Sequence, residues 1–252
     1  MTLKLKLTCF ILTLALLTTL STTLLLTYLL KTYYTHFKLA TLFPFHTTFY
    51  QTANQQLPPK TQKRIILFGD SRIQQWKNLP NLPTVEWINR GIGGETTPQL
   101  RARFQQDVLD LEPDIVILQM GINDLVVIGL SPQRTDAIRQ QTQDNLRFIV
   151  ETLQQHAITT LLLTIIPPTA PGLARLPVWH PNIPNTVTEL NQHWLTLPPS
   201  PHLHILDTAQ ILQDPQGHWH PQVNTDTLHL TSKGYEYLNQ AILPILTDRQ
   251  GT

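Results

Sequence analysis

Four short groups along the chain carry residue types suited to acyl transfer: Gly69-Asp70-Ser71, Gly93-Gly94, Gly121-Ile122-Asn123-Asp124 and Asp226-Thr227-Leu228-His229. A serine hydroxyl is a weak nucleophile until a base takes its proton, so Ser71 requires an imidazole within reach. His229 can supply one, and Asp226, three residues earlier, can hold the other ring nitrogen and stabilise the imidazolium. A tetrahedral intermediate needs donors where its negative charge develops. The backbone N–H groups of Ser71 and Gly94 and the side-chain amide of Asn123 are the candidates, each typically worth about 2.7–4 kcal/mol of barrier. Asparagine donates there without adding a charge, and glycine at 94 leaves a substrate oxygen room to approach. Asp207 is an alternative partner for His229, while Asp70 and Asp124 are expected to organise their loops by hydrogen bonding rather than to react. A serine after a turn ordinarily caps a helix, so the assignment of Ser71 to chemistry rests on the four groups as a set.

For these groups to meet, distant segments must reach one edge of the fold. Arg64 to Phe68, Val85 to Ile88, Asp114 to Met120, Thr160 to Ile166 and His202 to Leu206 are short, mainly apolar runs. Such runs suit parallel strands covered on both faces. Between them, Gln133 to Gln155 has Leu146, Ile149, Val150 and Leu153 on one helical face. Thr231 to Leu246 repeats the pattern with Tyr235, Leu238, Ile242 and Leu246, and Pro244 is expected to end or kink that helix. Alternating strands and helices imply a doubly wound α/β fold on a five-stranded parallel sheet. Ligands bind such sheets beyond the carboxyl ends of the strands, and the first three groups follow the first three strands.

With these blocks in place, the sequence resembles the GDSL/SGNH hydrolase superfamily, named for the Ser, Gly, Asn and His of its motifs. Ser71 matches the nucleophile block, and Gly94, within Asn89-Arg90-Gly91-Ile92-Gly93-Gly94-Glu95-Thr96, matches the second. Asn123 matches the third, and Asp226 and His229 match the last, followed by the similar continuation Leu230-Thr231-Ser232-Lys233-Gly234-Tyr235. The likeness runs from Arg64 to Leu246. It implies a flavodoxin-like three-layer α/β/α sandwich that hydrolyses esters or thioesters with no metal and no cofactor. On that footing Ser71, Asp226 and His229 are catalytic, and Ser71, Gly94 and Asn123 form the oxyanion hole. Arg72 departs from the pattern, which often has Leu, Ile or Val there, and it sets a charge beside the nucleophile that bears on substrate choice. Gly91-Ile92-Gly93-Gly94 is not a dinucleotide loop, because Thr96 stands where the final glycine belongs. A nucleophile elbow would need Gly in place of Ile73.

The rest of the chain bounds where such an enzyme works. Leu7 to Leu30 has no charged residue, Pro or Gly, and as a helix it would be about 36 Å long, enough to cross a hydrocarbon core. The run exceeds the core of a signal peptide and ends in Tyr28-Leu29-Leu30-Lys31, so an uncleaved anchor over residues 1–30 is expected, with a signal sequence as the alternative. Residues 31–61 read as a tether, with Tyr33, Tyr34, Phe37, Phe43, Phe45, Phe49 and Tyr50 suited to the headgroup level or to packing on the domain. The hydrolase domain is expected over residues 62–248. Lys4, Lys6 and the terminal amine before the span, against Lys31 and Lys38 after it, slightly favour an extracytoplasmic domain.

A net charge of +1 argues against a nucleic-acid partner. The lone Cys9 excludes an intramolecular disulfide, and His202-Leu203-His204 and His218-Trp219-His220 lack acidic partners at a metal-site spacing. Trp219 and His220 are candidates to line the substrate entrance. Expected substrates are lipid-like acyl esters, lysophospholipids included, or acetylated carbohydrate. The apolar loop Gly172 to Val178 suits the first, and Trp179 and Trp219 suit the second. The rival from another class is an inactive binding or scaffold protein on the same fold, and fold alone does not decide between them.

Overall fold

The computed structural model describes residues 2–45 and 48–247. They divide into two compact units, one ending at Ala40 and one beginning at Thr41. The first is a single helix, α1 (Leu3–Ala40), with no buried residue. Threonine is a modest helix former, but here its hydroxyls donate to backbone carbonyls one turn back: Thr13 to Cys9 at 2.8 Å, Thr19 to Ala15 at 2.8 Å and Thr23 to Thr19 at 2.8 Å. Those hydroxyls are thereby satisfied inside the helix, and α1 is long and apolar enough to be a candidate membrane span, with a mean hydropathy of 2.1 over an 18-residue stretch. It continues past Leu30 to Ala40, into the stretch where the sequence alone suggests a tether.

The second unit is built on five parallel strands: β1 (Lys63–Gly69), β2 (Val85–Gly91), β3 (Ile115–Gln119), β4 (Thr159–Leu163) and β5 (Leu203–Leu206). Their order is β2-β1-β3-β4-β5, the flavodoxin-like arrangement whose switch point falls between β1 and β3. Side chains alternate across the sheet, so Ile66, Phe68, Val116 and Leu118 enter one apolar layer and Ile65, Leu67, Ile115 and Ile117 enter the other.

The first layer is closed by α4 (Thr97–Asp107), α6 (Thr135–Gln155) and α7 (Asn182–Leu195), through Leu100, Phe104, Ile149, Leu153 and Trp194. The second is closed by α3 (Ser71–Gln74), α8 (Thr208–Leu212) and α9 (Ser232–Thr247), through Ile73, Leu212, Leu238 and Ile242. Two further short helices, α2 (Gln51–Gln55) and α5 (Ile122–Val126), precede the sheet and follow β3. Three layers result, as expected. Pro244 does not end α9, which runs on to Thr247. The proline lies in the last turn, where it removes one hydrogen bond close to a free end instead of breaking a long ladder.

Candidate active site

The first three candidate groups sit where a strand stops. Strand β1 ends at Gly69, Asp70 caps α3 by accepting the Arg72 N–H at 3.0 Å, and Ser71 is the first residue of that helix. An N–H at that position has no acceptor within its own helix, which leaves it available to a ligand. Strand β2 ends at Gly91, against α3: a Cβ there would meet the backbone nitrogen of Gln74 at 2.2 Å, so only glycine allows the approach. Past β2, a Cβ on Gly93 would lie 3.8 Å from the Ser71 Cβ. Gly94 has φ +81°, a left-handed conformation, and a side chain there would project into open space. Backbone geometry, rather than crowding, is thus what selects glycine at 94.

The base arrives from the other end of the chain. His229 Nε2 lies 3.0 Å from Ser71 Oγ, and its Nδ1 lies 2.9 Å from Asp226 Oδ2. The second carboxylate oxygen, Oδ1, accepts from the backbone N–H groups of Leu228 at 2.7 Å and His229 at 3.0 Å. Partial burial works to raise the Asp226 pKa, but the bonds from the imidazole and the two amides prevail and hold it at about 2. Asp226 is therefore a carboxylate wherever His229 could act as a base. Asp207 is engaged elsewhere, capping α8 through the N–H groups of Ala209 at 2.9 Å and Gln210 at 3.3 Å.

Asn123 lies in the first turn of α5, and its amide donates to the Glu95 carbonyl at 2.9 Å, which ties the third group to the second and leaves its other N–H unspent on that bond. Asp124, buried beside it, accepts from the Thr97 N–H at 2.9 Å and the Thr97 hydroxyl at 2.6 Å. Burial drives the Asp124 pKa up to about 7 despite those bonds. The Glu95 carboxylate pairs with Arg103 at 2.7 Å, and Arg103 also reaches Asp107 at 3.0 Å and the Arg90 carbonyl at 2.8 Å. Tyr50 donates to the Gly91 carbonyl at 2.7 Å, and its ring lies 4.7 Å from the Arg90 guanidinium.

These supporting residues are invisible to a search for reactive types. The one signal for Arg103 is its helical spacing to Asp107, which also describes an ordinary surface pair. Trp219 packs on the second apolar layer and His220 stacks on Tyr237 at 4.7 Å, so both rings have structural partners. Among the described residues, no three His, Cys, Asp or Glu side chains converge as metal ligands.

A flavodoxin-like sheet with such groups gathered at its carboxyl edge places the second unit in the class of α/β-sandwich hydrolases. Residues 66–237 match the GDSL-like lipase/acylhydrolase family, and the chain belongs to that family of ester-hydrolysing enzymes. Over 121 residues the chain is 34% identical to the uncharacterized lipoprotein YqeF of Bacillus subtilis (strain 168), a match covering 41% of this chain and 48% of that protein. The match thus spans about half the length of that curated relative. Among solved structures, a candidate acylhydrolase from Bacteroides fragilis NCTC 9343 superposes with a TM-score of 0.64 at 25% identity, covering 80% of this chain and 95% of the other. A catalytic mutant of the acetylxylan esterase Axe2 from Geobacillus stearothermophilus is similar in fold alone, with a TM-score of 0.51 at 18% identity over 76% of this chain and 97% of the other.

Proposed function

We propose that the second unit is a serine esterase acting through an acyl-enzyme on acyl or acetyl esters. Ser71 Oγ attacks the ester carbonyl carbon while His229 Nε2 takes its proton, and Asp226 holds the resulting imidazolium. The carbonyl oxygen, now anionic, is met by the N–H groups of Ser71 and Gly94 and by an Asn123 amide proton. Collapse of the intermediate breaks the ester C–O bond, and His229 gives its proton to the departing alkoxide. Water then attacks the acyl-serine with His229 again as base, releasing the acid and restoring Ser71.

The observation that carries this reading is the unbroken contact from Ser71 to His229 to Asp226, at 3.0 and 2.9 Å. The test is labelling by a fluorophosphonate probe together with hydrolysis of a short aryl ester. The wild type should react and Ser71→Ala should do neither while melting at the same temperature. Full hydrolysis by Ser71→Ala, or an unlabelled wild type, would instead leave a binding or scaffold protein on this fold.

Two substrate types fit. Lipid-like acyl esters are favoured by exposed Leu173 and Leu176, on a loop that joins the acid–base segment through the Gly172 N–H and the Thr227 hydroxyl at 3.4 Å. Acetylated carbohydrate is favoured by a 38-residue stretch that is 45% identical to an acetylxylan esterase of Geobacillus stearothermophilus. An acyl-length series separates them, since an optimum at acetyl indicates carbohydrate and a long-chain optimum indicates lipid. We assign α1 as the anchor that holds the enzyme at a membrane, with the domain outside the cytoplasm.

A further inference from the structure

Arg72 follows the proposed nucleophile, yet its side chain does not face a substrate. It is 2% exposed and lies among Ile73, Trp76, Gln119 and Leu163 in the second apolar layer. Burying a guanidinium is costly unless the charge meets a partner. The hydrogen bond made by this side chain is from Nε–H to the Leu228 carbonyl, at 2.8 Å, and its two terminal nitrogens have no hydrogen-bond partner. The backbone of Arg72 is itself pinned: its N–H donates to Asp70 at 3.0 Å and its carbonyl accepts the Tyr235 hydroxyl at 2.7 Å. The residue is thus a fixed post beside Ser71 that reaches across to the segment bearing Asp226 and His229.

The bond lands at an informative place. The Leu228 carbonyl and the His229 N–H belong to one planar peptide, and that N–H donates to Asp226 Oδ1 at 3.0 Å. A donor on the oxygen polarises the peptide and strengthens the bond made by its N–H. Arg72 remains charged in the neutral range, since burial lowers its pKa only to about 10.

We propose that Arg72 is a positioning residue that fastens the Asp226–His229 segment to the nucleophile's helix and, through the Leu228–His229 peptide, tightens the grip on the Asp226 carboxylate. This rests on the assignment of Ser71, His229 and Asp226 above.

Two shorter side chains that reach as far as the Nε position test it in the full chain. Arg72→Met puts a carbon where Nε stands, and Arg72→Gln puts an uncharged N–H there. Turnover is measured per site titrated with a fluorophosphonate, beside KM and Tm. Arg72→Met should lower kcat on the order of 10–100-fold with KM nearly unchanged, and Arg72→Gln should stay within about 5-fold of wild type. A merely structural role would reduce the number of titratable sites and leave turnover per site intact, and that result would overturn the proposal. So would an Arg72→Gln variant that loses as much as Arg72→Met, since charge and not the donor would then be the requirement, or one that fails to fold, since the side chain would then serve the fold. If Arg72→Met does not fold, Arg72→Leu is the second donor-free variant, and Arg72→Gln decides on its own. Failure of the underlying assignment is distinguishable, because the wild type would then not label at all.

Discussion

Two carboxyl groups near the candidate site show how environment divides one residue type between roles. Asp226 is held as an anion at about 2 by three donors that outweigh its burial, whereas burial lifts Asp124 to about 7. Replacing Asp226 with asparagine removes the charge that stabilises the imidazolium and leaves the two backbone bonds an acceptor. Hydrolysis of a soluble ester should fall on the order of 10²–10⁴-fold with little change in KM. Wild-type turnover in Asp226→Asn would remove that residue from the mechanism.

Asp124 makes a stability prediction with a definite sign. Its folded pKa exceeds the unfolded value of 3.8, so between there and about 7 the folded chain binds the proton that the unfolded chain has lost. Its contribution to stability is complete below the unfolded pKa and is lost as pH rises through about 7. Urea midpoints measured from pH 4 to pH 8 should therefore decline less steeply with pH in Asp124→Asn than in the wild type. An unchanged slope would mean that Asp124 titrates normally.

At the scale of elements, the site depends on how closely β2 and α3 approach. Gly91 touches the Gln74 backbone, and an alanine methyl there cannot be absorbed by a flexible side chain. Gly91→Ala should cost about 1–3 kcal/mol and displace α3, so activity per folded molecule should fall as well. Retained turnover with unchanged Tm would show that the contact is soft.

The same elements show what is legible in the sequence. Strands β1, β3 and β4 can be read from their apolar runs because both faces are covered. The four chemical groups stand out because each follows or joins such an element. Helix α4 is not legible: apart from Pro98, Leu100 and Phe104 its buried side is made by Thr97, Gln99, Arg103 and Asp107, which invert the usual rule that polar residues face water. Helix α7 carries Ile183, Val187, Leu190 and Trp194 at helical spacing, but proline-rich flanks obscure its bounds. Arg72 reads as a charge near the substrate, and only packing reveals that it points into the core.

For the whole molecule, the consequential boundary is the one at which the hydrolase unit begins. Composition places it after Pro58-Pro59, at residue 62, whereas the compact unit starts at Thr41. The intervening segment is fastened to the elements that carry the candidate oxyanion groups. The Thr41 carbonyl accepts from the Thr96 hydroxyl, Leu42 is 3% exposed, Tyr50 donates to Gly91, and Asn54 donates to Asp107 at 2.7 Å. Removing it would uncover Leu42's partners and take from the buried Arg103 and Asp107 network a wall that the Tyr50 ring and the Asn54 amide now provide.

Losing one buried leucine and several hydrogen bonds costs about 3 kcal/mol, which in a unit of this size lowers Tm by roughly 6–12 °C. A chain beginning at Thr41 should therefore be released from membranes yet hydrolyse a soluble ester as the full-length protein does. One beginning at residue 62 should melt lower by that margin and lose activity on mild warming. Calorimetry of the two truncations, with ester turnover measured beside it, checks this directly. Equal melting temperatures would place the boundary at residue 62 and reduce residues 41–61 to a tether, while an inactive, unfolded chain from Thr41 would show that the hydrolase unit requires α1.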